Sequence, residues 1–312
     1  MIKDLLENPD GPVNEIFMVK QQTKATSNNG SPYLSLTLQD ASGTLEAKMW
    51  SIEDSDVTLS NAGSLIRVYG QMSVYKGHPQ LKINSLDAVE LSPEELAKYI
   101  PVAPVALDQL KKELADDIAS IQDSQLKTLV ETLIKANYEA YTTYPAAVTV
   151  HHAYLGGLLY HSLSICSMAK LVQAHYPTLS YDYLVAGSLL HDIGKTKELN
   201  GPRAVSYTEA GNLLGHITLG AMMVYEEGKK EGVDSERLDV LTHMILAHHG
   251  EPEYGSPKVP ATAEAYVLHA LDDLDAKMEC LRGVYDTTEE GAFTAKIAWM
   301  ENTAFYKPHK LK

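Results

Sequence analysis

The feature that most restricts the fold is a change of period near residue 90. Before it, apolar residues recur at every second position in five short runs: EIFMVKQ (15–21), YLSLTLQD (33–40), GTLEAKMW (43–50), SLIRVYGQMSVY (64–75) and PQLKINSLDAV (79–89). A period of two puts one face of each run in a core and the other in water, as half-buried strands require. From LSPEEL (91–96) the period becomes helical and stays so almost to the end. An all-β part is therefore followed by an all-α part, and 312 residues are enough for two domains. The boundaries read from this are 1–90 for the strands, 91–145 for a helical connector and 146–312 for a helical domain.

The turn DASG (40–43) joins the second and third strands as a hairpin, and KGHP (76–79) joins the last two. SIEDSD (51–56) reads as a short helix or loop. Five strands with a break after the third suit a small closed barrel of the oligonucleotide-binding (OB) type. A five-stranded sandwich, or a barrel with no ligand, satisfies the same pattern. In LSPEEL, Ser92 as N-cap, Pro93 at the first helical position and Glu95 form a capping box.

The chain has no apolar run near 18 residues, and its start, MIKDLLENPDG, lacks the basic end and apolar centre of a signal peptide. Cys166 and Cys280, the two cysteines, follow no metal or redox spacing. Free thiols in a reducing compartment are the simplest account, so the expectation is a soluble, cytoplasmic protein without a membrane partner. The net charge of −15 weighs against a phosphate-rich partner. Residues 1–90, however, carry 7 Lys+Arg against 11 Asp+Glu, so most of the excess lies further on. A bound divalent metal would add positive charge that the sequence does not contain.

Ten of the twelve histidines fall between residues 151 and 269. His161 lies within the apolar helix GGLLYHSLSICSMAKLV, and His191-Asp192 ends another, YLVAGSLLHDIGK. His216 stands at the first turn of the helix that carries GHITLGAMMV, and His248-His249 closes LDVLTHMILAHHG with Gly250 as the C-terminal cap. The helix YVLHALDDLDAKM carries Asp272, Asp273 and Asp275, at least one of which must face inward with Leu268 and Leu271. An inward carboxylate needs a cation or hydrogen bonds. Imidazole and carboxylate donors without thiols suit Mn²⁺, Fe, Zn²⁺, Ni²⁺ or Mg²⁺ better than a structural zinc cluster. The two oxygens of an aspartate can bridge two ions, which at about 3.5–4 Å apart activate water and hold phosphate oxygens.

The order His161, His191-Asp192, Asp272 is similar to the H…HD…D signature of HD-domain metal-dependent phosphohydrolases. By that resemblance, His161, His191, Asp192 and Asp272 hold one ion, and Asp192 bridges to a second held by His216, His248 and His249. Lys195 matches the lysine that contacts the scissile phosphate, so Asp192 and Lys195 are the catalytic candidates. His152 is expected behind the ligands or facing substrate, and His151 has no clear role. His175, His243, His269, Asp273 and Asp275 are read as structural.

The attached barrel narrows the substrate. Tyr33, Trp50, Tyr69 and Tyr75 could stack bases, with Lys48, Arg67, Lys76 and Lys82 nearby for phosphates, although each also reads as core or solvated face. The two-part layout, YPAAVTVHHAYLGGLLYH (144–161) and GAFTAKIAWMENTAFYKP (291–308) resemble the YhaM family of bacterial 3′→5′ exoribonucleases over essentially the whole chain. That resemblance implies manganese-dependent shortening of single-stranded RNA, often also single-stranded DNA, by a homo-oligomer. Two other readings stay open: a hydrolase of free nucleotides or cyclic dinucleotides, and a nucleic-acid-binding module with a structural metal.

Overall fold

The computed structural model describes residues 1–27, 29–91, 93–96, 98–100, 102–147, 152, 154–202 and 205–311. The chain divides into two compact units, Met1–Val102 with Asn200–Ser206, and Ala103–Leu199 with Tyr207–Lys312.

The first unit is built on β1 (Gly11–Thr26), β2 (Pro32–Asp40), β3 (Gly43–Trp50), β4 (Leu65–Tyr75) and β5 (His78–Ala88). They close into a barrel in the order β1-β2-β3-β5-β4, with β3 and β5 parallel and every other pair antiparallel. This is the OB arrangement expected from the alternation. Both hairpins fall where the turns predict, with Asp40 opposite Gly43 and Tyr75 opposite His78. The inward positions of the alternating runs fill the interior: Phe17, Val19, Leu34, Leu36, Leu38, Leu45, Ala47, Met49, Ile66, Val68, Leu81 and Ile83.

SIEDSD opens a short helix, α2 (Asp54–Leu59). A further helix, α1 (Ile2–Glu7), precedes the barrel and has no counterpart in the sequence reading. It is tied down from a distance, because Asp40 Oδ2 accepts the amide of Ile2 at 2.6 Å while Ile2 itself is fully buried. Pro93 begins the four-residue α3 (Pro93–Leu96), as read, and Ser92 lies outside the described residues.

The second unit is helical: α4 (Leu107–Ser120), α5 (Ser124–Ala136), α6 (Tyr138–Thr143), α7 (Gly157–His175), α8 (Tyr181–Leu190), α9 (Lys195–Glu198), α10 (Glu209–Glu231), α11 (Ser235–Ala247) and α12 (Ala263–Asp286). Leu110, Leu114, Leu129, Val130, Leu133 and Tyr141 share one core with Leu158, Leu159, Val185, Leu189 and Ile193. The helices of segment 91–145 from α4 onward thus belong to the helical domain. The contact-based boundary falls at 102/103, because an apolar face such as that of α5 is stable only when covered. Asp123 caps α5, accepting the amides of Gln125 and Leu126, and its other oxygen takes the Arg237 guanidinium at 2.8 Å. Among the described residues, no helix is long and apolar enough to cross a membrane.

Candidate metal centre and nucleic-acid face

α7 and α8 are apolar nearly all round, so they are buried, and the polar groups they carry must find partners inside the protein. α7 presents His161. α8 stops at Leu190, which leaves His191 and Asp192 in the turn that follows, and α11 stops at Ala247 and leaves His248 and His249 in the same position. Gly250, at φ +81°, makes the left-handed turn expected after that pair. Asp272 and Asp275 lie three residues apart on one face of α12 and both point inward, while Asp273 is solvated against Lys277.

Asp192 lies at the centre. Its Oδ2 is 3.4 Å from His191 Nε2 and 3.7 Å from His161 Nε2, and His161 Nε2 is 3.1 Å from Asp272 Oδ1. Its Oδ1 faces a different group, 3.5 Å from His216 Nε2 and 3.7 Å from His248 Nε2. His249 joins that second group, with donor atoms of His216, His248 and His249 all within 4.8 Å of one another. The seven residues picked out as ligands are therefore brought together, in two sets that share one carboxylate.

Three atoms test whether this donor set fits a cation. Asp192 Oδ1, His216 Nε2 and His248 Nε2 are buried with no hydrogen-bond partner. Each such orphan costs about 1–3 kcal/mol, and a cation between them would satisfy all three. The ring nitrogens on the far side are committed. Nδ1–H of His191 donates to the Ser188 carbonyl at 2.9 Å, and that of His248 to the Ile245 carbonyl at 2.7 Å. His161 Nδ1 donates to Asp275 Oδ2 at 2.7 Å, and His216 Nδ1 to Glu198 Oε1 at 3.2 Å. Each ring therefore turns Nε2 toward the centre, the tautomer and orientation that metal ligands need.

The protonation states differ between the two groups. Burial and the neighbouring His249 hold His248 well below the usual imidazole range, so it is neutral. Burial alone would raise Asp192, but Lys195 and His191 outweigh it and keep the carboxylate ionised. Burial would likewise lower His161, but its bonds to Asp272 and Asp275 push it up to about 9. Cation binding there must displace a proton.

His152 is buried and held at φ +50°. Its Nε2 donates to the same Asp275 oxygen as His161, at 2.7 Å, and the Tyr154 hydroxyl meets its Nδ1 at 2.7 Å. It thus lies beside His161 on a shared carboxylate oxygen. Asp275 supports His161 directly. His151 lies outside the described residues. His269 donates to the His248 carbonyl and His243 accepts the Ala261 amide, both structural uses.

Two residues tie the second group together. Gly215, at φ 71° and ψ 158°, breaks α10, so His216 opens a new helical segment seven residues inside the element rather than standing at its first turn. Gly194 lies against that segment so closely that a Cβ on it would come within 1.9 Å of the His216 carbonyl oxygen and 2.6 Å of the Gly220 amide.

On the barrel, Tyr33 and Trp50 are opposite one another in the β2–β3 register and stack at 4.6 Å. Trp50 is 45% exposed, which excludes the core reading. Lys48 sits 5.3 Å above the Tyr33 ring and pairs in register with Lys82 on β5. These four make a stacking platform with two cations. Tyr75 and Lys76 lie at the tip of the β4–β5 hairpin, several residues along β5 from that platform. Arg67 stands opposite Asp87 and reaches Asn14, so it joins neither group.

Fold and site together define a two-domain protein, a barrel for nucleic acid joined to a helical domain of the HD metal-dependent type. The comparisons agree. Residues 158–277 match the family described as HD domain, and residues 18–89 the OB-fold nucleic acid binding domain. A third match, to a family described as putative helicase, covers 105–178. A relative from Halalkalibacterium halodurans, 3′-5′ exoribonuclease YhaM, is 37% identical over 94% of this chain and 92% of its own length. Proteins of the same name from Bacillus subtilis and Listeria innocua are each 36% identical, over 95% of both chains and 99% of both chains respectively. The chain belongs to the YhaM family of 3′-5′ exoribonucleases.

Proposed function

We propose that this chain shortens single-stranded RNA, and single-stranded DNA, from the 3′ end and releases nucleoside 5′-monophosphates. One observation carries the reading: the two oxygens of Asp192 face two separate sets of imidazoles. This supports a pair of divalent ions, one held by His161, His191, Asp192 and Asp272, the other by Asp192, His216, His248 and His249. Bound there, the ions would lower the pKa of a water and polarise the phosphoryl oxygens. Mn²⁺ is our choice on the resemblance to the family, and the donor set, imidazole and carboxylate without thiol, admits it. Lys195 would neutralise charge that develops on the phosphate, the leaving group being the 3′ oxygen of the adjoining nucleotide.

The Tyr33–Trp50 platform with Lys48 and Lys82 would hold bases and phosphates of the strand. Exposed apolar side chains along α10, Leu213, Met222 and Tyr225 among them, support assembly into a homo-oligomer. Free Cys166 and Cys280 support a reducing, cytoplasmic setting.

The test uses RNA labelled at its 5′ end, with Mn²⁺ and then with EDTA. A ladder that shortens stepwise only with metal is the expected result, and intact RNA in both lanes would count against it. A second reading, hydrolysis of free nucleotides or cyclic dinucleotides, asks less of a chain of net charge −15, because such substrates carry fewer phosphates than a strand. Comparing those with short oligonucleotides as substrates separates the two.

A further inference from the structure

The structure assigns Glu198 as the positioning residue that builds the second half of the metal centre, an inference that rests on the two-ion reading above. Three observations carry it. First, Gly215 breaks α10, which puts the amide of His216 at the start of a helical segment, where amides need acceptors from outside the helix. Second, Glu198 Oε1 accepts that amide at 2.9 Å and, with the same oxygen, His216 Nδ1–H at 3.2 Å. A single carboxylate oxygen thus fixes both the backbone and the ring of one residue. Third, the opposite ring nitrogen, Nε2, is buried without a hydrogen-bond partner and lies 3.5 Å from Asp192 Oδ1.

Glu198 is itself held in place. Its own carbonyl accepts the Thr208 amide at 2.8 Å, and Gly211 packs so closely on it that a Cβ there would come within 2.3 Å of that carbonyl oxygen. The residue is 8% exposed, so its charge is kept within the protein. The first group has a matching device, Asp275 behind His161, whereas His191 and His248 rely on backbone carbonyls. Each half-site thus has one imidazole oriented by a carboxylate and one by the main chain. The short segment Lys195–Glu198 consequently serves both oxygens of Asp192, through Lys195 at Oδ2 and through Glu198 and His216 at Oδ1.

The experiment is a calorimetric titration of the metal-stripped full-length protein with Mn²⁺ alone, on wild type, Glu198→Ala, Glu198→Gln and His216→Ala. Loss of a carboxylate behind a ligating histidine weakens metal binding about 10–100-fold. We expect two ions on wild type and loss of one in His216→Ala. That same ion should weaken about 10–100-fold in Glu198→Ala, while the other stays within about twofold, because its ligands keep their partners. Glu198→Gln keeps size and an acceptor but loses the charge, and it should fall between wild type and Glu198→Ala. It carries the test if the alanine variant does not fold, in which case wild-type affinity in Glu198→Gln overturns the proposal. Two tight ions retained in Glu198→Ala would overturn the role of Glu198 and leave the two-ion reading intact. Fewer than two ions on wild type would overturn the two-ion reading, and this assignment with it.

Discussion

The ammonium of Lys195 lies 2.6 Å from Asp192 Oδ2, one helical turn after it in sequence, and both side chains are buried. A buried cation in this position keeps Asp192 ionised, and contact with the scissile phosphate is the role proposed for it. Replacing it with a neutral chain of similar length should lower kcat by about 10²–10³, the usual loss when one stabilising charge is removed from a reacting centre. Steady-state kinetics on Lys195→Met, with Mn²⁺ content measured in parallel, checks this. Unchanged kcat, or loss of the ions themselves, would show that the lysine is structural.

Asp192→Asn should remove hydrolysis and metal together. Both sets of imidazoles meet at this carboxylate, and several kcal/mol of transition-state stabilisation disappear with the ions, a loss of about a thousandfold or more. Activity and metal stoichiometry on one sample decide it. A variant that still holds two ions would put the bridge elsewhere.

Trp50→Ala should weaken binding of single-stranded RNA by about 5–150-fold, since one base–aromatic stack is worth about 1–3 kcal/mol. Trp50 is half exposed, so the melting temperature should barely move. Fluorescence anisotropy with a labelled oligonucleotide measures the effect, and Arg67→Ala, outside the platform, is the control expected to change little.

Asp123 gives a prediction on pH. Partial burial raises its pKa, but the amides of Leu126 and Gln125 and the charge of Arg237 outweigh that and hold it below the ordinary carboxylate value. The folded state therefore binds this proton less tightly than the unfolded chain. The stabilisation is complete above the unfolded pKa of about 3.9 and is lost as pH falls through the lower folded value. Asp123→Ala should cost about 1 kcal/mol at neutral pH, as N-cap losses do. Denaturant melts at pH 7 and pH 3 should show that difference shrinking in acid.

Gly194→Ala places a methyl group against the backbone of His216 and Gly220. Neither neighbour is a flexible side chain, so the segment must shift, at a cost of about 1–3 kcal/mol or more. Thermal melts should show the loss, and Mn²⁺ titration should show the second ion weakened more than the first.

Those residues that announce themselves by period or by local spacing were legible in the sequence. Alternation set the barrel interior from Phe17 to Leu86, and the turns set both hairpins. His161, His191, Asp192, His216, His248, His249 and Asp272 stood out by type, order and placement on apolar helices. Glu198 was not visible, because KTKE reads as an ordinary charged turn and its partner lies 18 residues on. The one signal was indirect: a glycine before His216 inside a helical run implies a break, and a break leaves an amide that needs an acceptor. The support that Asp275 gives His161 was not legible for a similar reason, its partners His152, His161 and Ser164 being more than a hundred residues distant. The surroundings of Arg67 were not legible either, because alternation shows only that a side chain points outward. Asp87 and Asn14 come alongside it through pairing with other strands.

The pinned imidazoles have one more consequence. With four rings held by bonds within the protein so that Nε2 faces inward, the pocket has little freedom to reshape itself around one radius or another. Such a nitrogen-rich cage binds first-row ions in the order of their intrinsic appetite for nitrogen, with manganese near the bottom and copper at the top. The protein therefore has no strong means of refusing a competitor. An excess of zinc or copper should therefore displace manganese and lower activity, which a competition titration would read.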